Sequence, residues 1–262
     1  MTTIIEDRLK QLPKVKLHQG GHTSFKQGHC ATEVIAWLAG EDHSDHPKCT
    51  SPVLASLLRR FNDVADDELR QRLKPYLPKA VGTAGDGYDE LRGWMTADWA
   101  LRTAVPTWLD LAGVTESAKA LRELPEINAE TYEQHYALIS KVRRETWKRR
   151  QAWREKLKQE ITAKLKEKGI KAAAAAADAD AVAVAAAAAA ADADAVADAV
   201  AAAVADADAV ADAVAAAPWS ATYSAVRKAV KPIYEEKLGP TRDALLPSFF
   251  DLIDRMCDPE DA

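Results

Sequence analysis

Cysteine is scarce in this chain, with 3 in 262 residues, and aromatic side chains make up only 6%. So few thiols set no disulfide framework and fit a reducing compartment. There is no CxxC pair, and no glycine loop is followed by the Lys-Ser/Thr of a P-loop. Residues 1–14, MTTIIEDRLKQLPK, hold acids and no apolar run. No export signal is therefore expected, and the expected location is cytoplasmic. Long apolar runs are missing too. The longest uncharged run of the alanine-rich part, 181–191, has 11 residues, against about 20 needed to cross a bilayer. Each Asp carried to the middle of a membrane would add roughly 2.5–3.5 kcal/mol. No membrane span is expected.

The largest shortage is local. Residues 172–217 contain no Gly, Pro, Lys, Arg or aromatic residue; their 46 positions hold 31 Ala, 8 Asp and 7 Val. Nothing in them ends a helix. A unit of fourteen residues recurs, as DADAVAVAAAAAAA from Asp178, DADAVADAVAAAVA from Asp192 and DADAVADAVAAAPW from Asp206. Fourteen residues are two heptads. On a heptad wheel Val182, Val196 and Val210 share position d. Val200 and Val214 then fall on a, and Val204 on e, which gives one apolar stripe. The Asp residues from 192 onward fall on g, b and f; Val184, at f, is the exception. Ala also occupies every odd position from 173 to 217, an alternation that a strand would show. Helix is favoured because Ala leads the helix scale and is depleted in strands, and because strands run only about 5–6 residues. A helix of this length spans about 70 Å. Alanine faces bury little area, so association through the stripe needs length or a partner with larger side chains. The alternative is a solvated spacer.

The formal net charge of −5 is modest but unevenly placed. The repeat holds only acids, whereas residues 141–171 hold 13 Lys or Arg against 4 Glu, with Trp147 and Trp153 among them. Folded antiparallel on the repeat, this basic helix would flank a shared apolar seam with opposite charges. Exposed pairs contribute only about 0.2–1 kcal/mol each, so the pattern selects register and partner rather than supplying stability. The same helix could contact nucleic acid through phosphates.

Outside the repeat nearly every segment reads as helix. Ser51-Pro52 is an N-cap with Pro at N1, followed by Leu54, Leu57, Leu58 and Phe61 at helical spacing. A stripe of Cys30, Val34, Trp37 and Leu38 stops at Gly40, a C′ glycine. Asp66 caps a helix through Leu73, and Leu91 to Leu101 mark another that Pro106 is expected to break. A long pattern runs from Asn128 towards Gly169, and two helices follow Pro218. The fold class is all-α: a helical head with a long Ala-rich arm. The expected parts are a globular domain over 1–126, a basic helix over 127–171, the repeat helix over 172–217, and C-terminal helices over 218–262 that pack back on the rest.

Five of the six His, namely His18, His22, His29, His43 and His46, lie within 29 residues. The spacing His43-x-x-His46-x-x-Cys49, with Cys30, gives a candidate His2Cys2 set for zinc. The competing reading makes the two Cys small buried apolar residues and the two His loop caps. Gly82, Gly85 and Gly87 read as a flexible connector. Asp98 and Arg102 read as a one-turn ion pair at the edge of a core.

Several stretches resemble a set of bacterial, mostly actinobacterial, proteins to which no activity is attached. They are LAGEDHSDHPKC (38–49), SPVLASLLRRFND (51–63), RLKPYLP (72–78), DWALRTAVPTWLDLAG (98–113) and PTRDALLPSFFDLIDRM (240–256). The resemblance covers about half of the chain. It implies that the flanks are the shared core and the alanine tract a variable insertion. It carries no catalytic residue. The function expected first is a non-enzymatic assembly protein. Its arm, through Val196, Val200, Val204, Val210 and Val214 together with Trp147 and Trp153, joins a second copy or a protein partner. A zinc-binding helical module or small metal-dependent enzyme using Cys30, His43, His46 and Cys49 is the second expectation. Nucleic-acid binding through 141–171 is the third.

Overall fold

A computed structural model describes residues 3–111, 113–144, 159, 163 and 220–261. The repeat, including Val196, Val200, Val204, Val210 and Val214, and both Trp147 and Trp153 lie outside the described residues, as do nearly all of the basic helix beyond residue 144. Among the described residues there is no strand, so the fold is all-α. No described helix is long and apolar enough to cross a membrane.

The chain divides into two compact units, one made of Met1–Thr96 with Phe249–Ala262, the other of Ala97–Ser248. The first unit contains α1 (Glu6–Gln11), α2 (Ala31–Ala39), α3 (Pro52–Val64), α4 (Asp67–Gln71) and α5 (Leu77–Ala80). Capping residues start and stop these helices. Ser51 Oγ accepts from Leu54 N at the head of α3, and Asp66 Oδ1 accepts from Leu69 N at the head of α4. Gly40 ends α2 at φ 76°, a left-handed turn in which a side chain would be strained. The core of α2 and α3 is Val34, Ile35, Leu38, Leu54 and Leu58, none of them exposed.

The C-terminal end of the chain belongs to this unit. Phe250 stacks on Tyr76 at 5.5 Å and meets Phe61 edge-on, while Arg72 lies 4.5 Å over its ring. Arg92, wholly buried, locks the same region. It donates to Met256 O at 2.8 Å and Thr83 O at 3.3 Å, and pairs with Asp86 through both terminal nitrogens. The glycine connector Gly82–Gly85–Gly87 is therefore a structural loop, all three residues having positive φ. Its amides at 82 and 84 both donate to Cys49 O.

In two places the helices run on through proline where the sequence signalled a stop. Helix α6 (Asp89–Trp99) passes into a π turn at Ala100–Ala104 and then into α7 (Val105–Leu111). The wider turn absorbs Pro106, whose missing N–H would break an ordinary α-helical ladder. The second place is the C-terminus. Instead of two helices, one helical run of 38 residues, Ser220–Cys257, passes through Pro232, Pro240 and Pro247. Proline deletes one ladder bond and bends a helix, and it ends one only where packing does not hold the next turn.

In the second unit Asp98 Oδ1 accepts from Ile127 N at 2.8 Å and pairs with Arg102 Nε at 2.6 Å. Arg102 Nη1 donates to Leu124 O, so the pair pins the segment after α8 (Thr115–Arg122). A further helix occupies 132–144, with Ile139 and Val142 buried.

Candidate metal centre

The loop over residues 15–30 has no helix of its own and is tied down by side chains. Gln71 exchanges bonds with the Leu17 backbone, and Asn62 donates to His18 O while accepting from Ala31 N. The strongest tie is Glu33, in the first turn of α2 and only 1% exposed. Its Oε2 accepts from Cys30 N at 2.7 Å, closing the reciprocal cap of the helix, and from His22 Nδ1 at 2.9 Å. Its Oε1 accepts from His22 N at 2.6 Å and lies 3.3 Å from His43 Nε2. Burial pushes the Glu33 carboxyl up, but the Cys30 and His22 donors outweigh it and hold the group below the usual carboxylate range.

An ionised carboxylate only accepts, so a neutral His22 has its proton on Nδ1 and its lone pair on Nε2. The same logic fixes His29. Its Nδ1 faces Phe25 O at 3.2 Å, and a carbonyl only accepts, so the lone pair is on Nε2. That Nε2 is buried without a partner, and so is Nδ1 of His18. The three rings form one cluster, with centroids 5.9 Å apart for His18 and His22 and 5.6 Å for His18 and His29. His29 stacks on Phe25 at 4.0 Å, and Phe25 on Trp37 at 4.9 Å, which holds the ring in place. Burial lowers the His29 pKa, against the opposing pull of the Phe25 carbonyl, and the neighbouring His18 and His22 lower it further.

Gly28 is shaped to this cluster. A Cβ there would stand 2.5 Å from Cδ2 and 2.6 Å from Nε2 of His22, and φ is 145°. Any side chain at this position would press on the His22 edge that carries the lone pair.

The four ligands chosen from spacing have separate partners. Cys30 Sγ meets Thr32 Oγ1 at 3.3 Å, and burial pushes this thiol up to about 11. Cys49 Sγ meets Thr50 Oγ1 at 3.7 Å, and burial raises its pKa as well. His43 Nε2 donates to His22 O at 2.9 Å, and the exposed His46 pairs with Asp45 at 2.7 Å. Among the described residues no group of three or more His, Cys, Asp or Glu stands arranged to hold a metal ion. The rings of His18, His22 and His29 are gathered instead, without converging on one point. Their signal in the sequence was the density of His in 18–46, not a ligand spacing.

No protein family, no curated protein and no solved structure matches the chain. The resemblance to the bacterial set thus stands on the quoted motifs alone.

Proposed function

We propose that the head is a metal-binding helical module whose ligands are His18, His22 and His29. The observation that carries this reading is the cluster of three imidazoles in which His18 Nδ1 and His29 Nε2 are buried without a partner. A buried nitrogen left without a partner costs about 1–3 kcal/mol, so two of them side by side need a reason. A divalent cation supplies one. The partners on the far side of two rings, the Glu33 carboxylate and the Phe25 carbonyl, are those that orient metal-ligating histidines elsewhere. Centroids 5.6–5.9 Å apart fit imidazoles grouped round one ion at about 2.0–2.1 Å from each nitrogen.

The test is calorimetric titration of the untagged full chain with zinc. One equivalent should bind, and His29→Ala should weaken binding by at least tenfold. Heat equal to the blank, or binding indifferent to His29→Ala, removes the reading.

A second reading concerns the arm, and three copies of a valine-edged unit favour it. In this reading residues 172–217 join a second copy of the chain or a protein partner. Deletion of 178–205 should then change the oligomer mass in light scattering, whereas an unchanged mass leaves a spacer.

A further inference from the structure

We infer that Asp86–Gly87 is a modification site, a latent isoaspartate step in the backbone that the buried Arg92 fork holds in the aspartate form. It stands apart from the metal reading, because no histidine takes part. Asp86 is the only aspartate in the chain that is followed by glycine. The chemistry needs nothing from outside but water. The Gly87 amide nitrogen attacks Cγ of Asp86, and an N–C bond forms. The carboxyl OH leaves with the amide proton as water, which gives a five-membered succinimide. Water then opens the ring. Attack at one carbonyl restores aspartate; attack at the other routes the backbone through Cβ and Cγ, with no net change of mass.

Local geometry favours ring closure. Asp86 Oδ1 accepts from Tyr88 N at 3.0 Å, so the carboxyl is folded back over the Gly87 peptide unit as an Asx turn. Gly87 brings no side chain to crowd its amide, and a Cβ there would meet no atom within 4 Å. The Asp86 side chain is 24% exposed, so water reaches it. Arg92 opposes closure. Its Nη1 donates to Asp86 Oδ1 at 2.8 Å, and its Nη2 donates to Oδ2. Both oxygens are held by one planar, wholly buried cation. Closure consumes the neutral acid, whereas the guanidinium keeps the carboxyl ionised. The turn contributes one neutral donor and the fork two charge-assisted ones, so protection wins while the fork is intact.

The fork is itself tied to the C-terminal end of the chain. Arg92 Nε donates to Met256 O at 2.8 Å, and Tyr88 OH donates to Glu260 Oε1 at 2.9 Å. Local opening of that end loosens Arg92 and lets the Asp86 carboxyl leave it. Isoaspartate has one more carbon in its backbone path, and its carboxylate no longer stands where the fork expects it. The lesion therefore marks openings of the C-terminal segment and hinders reclosure.

The experiment ages the full chain for several weeks at neutral pH, once in buffer and once unfolded in guanidinium chloride. The peptide spanning residue 86 is then resolved chromatographically into its aspartate and isoaspartate forms, which electron-transfer fragmentation assigns. Isoaspartate should form at least about tenfold more slowly in buffer, a factor set by how seldom the fork opens. Arg92→Lys keeps the charge and loses the fork, so it should speed conversion in buffer while the circular dichroism stays native. Should that variant unfold, Glu260→Ala takes its place. It loosens the C-terminal tie at the surface and should raise the rate roughly twofold or more, the size of one net hydrogen bond. Equal rates in buffer and denaturant would overturn the inference, as would a denatured chain that forms no isoaspartate at 86. So would a folded variant that converts at the rate of the unaltered chain.

Discussion

Glu33 and Gly28 show how much of the site turns on single residues. Glu33 is a buried charge that persists because two amides and an imidazole donate to it. Removing it leaves the Cys30 and His22 amides without acceptors. Glu33→Ala should therefore destabilise the chain by on the order of 3 kcal/mol in urea unfolding. Gly28→Ala acts differently. It places a methyl group against His22 and forces a strained φ, so it should weaken zinc binding more than it lowers stability. The two effects are read by calorimetry and by the unfolding midpoint. Arg92 supplies a pH dependence. Its guanidinium holds the Asp86 carboxyl below its ordinary value. Asp86 therefore adds stability that is fully present above the unfolded carboxylate value of about 3.9 and is lost as the pH falls through the lower folded value. Asp86→Asn should flatten that acid limb in a series of urea melts. None of these roles was legible in the sequence. Nothing local in the sequence gives Glu33, Gly28 and Arg92 these roles, and only folding places them against partners up to 164 positions away.

At the scale of elements the chain signals its helix starts well and its continuations poorly. The stop at Gly40, the Ser51-Pro52 start and the Asp66 cap are chemistry local to a few residues, so they read directly. Pro106 reads as a break because local chemistry says so, yet the helix continues, and the two helices expected after Pro218 are one run through three prolines. Packing decides there, and packing is not local. The aromatic seat of Phe250 against Phe61, Tyr76 and Arg72 is a plain example. Phe250→Ala empties it and should cost about 3–5 kcal/mol, measured by thermal or urea unfolding. The histidine cluster was half legible. The density of histidine marked its stretch, whereas spacing drew attention to His43, His46 and Cys49, which have separate partners. The tautomers of His22 and His29 depend on which carboxylate or carbonyl Nδ1 meets, and a sequence does not show that.

For the whole molecule, the boundary expected near residue 126 differs from the division by contacts, which falls at Thr96 and Ala97, inside the run of helix from Asp89 to Leu111. A helix that carries through a proline leaves no composition shift to mark such a border. The alanine tract is legible as a repeat and as a charge block, and its role is tested by the 178–205 deletion. The proposed metal site lies in the head. A ligand at one hundred times its dissociation constant stabilises the folded state by about 2.7 kcal/mol. Excess zinc should therefore raise the melting temperature of the full chain but not that of a His18→Ala/His29→Ala variant. The most direct measurement is the X-ray absorption spectrum of the zinc-loaded, untagged protein at the metal edge. The account predicts a shell of nitrogen at about 2.0–2.1 Å with the outer scattering of three imidazoles and no sulfur. Sulfur at about 2.3 Å would contradict it and return the centre to Cys30 and Cys49.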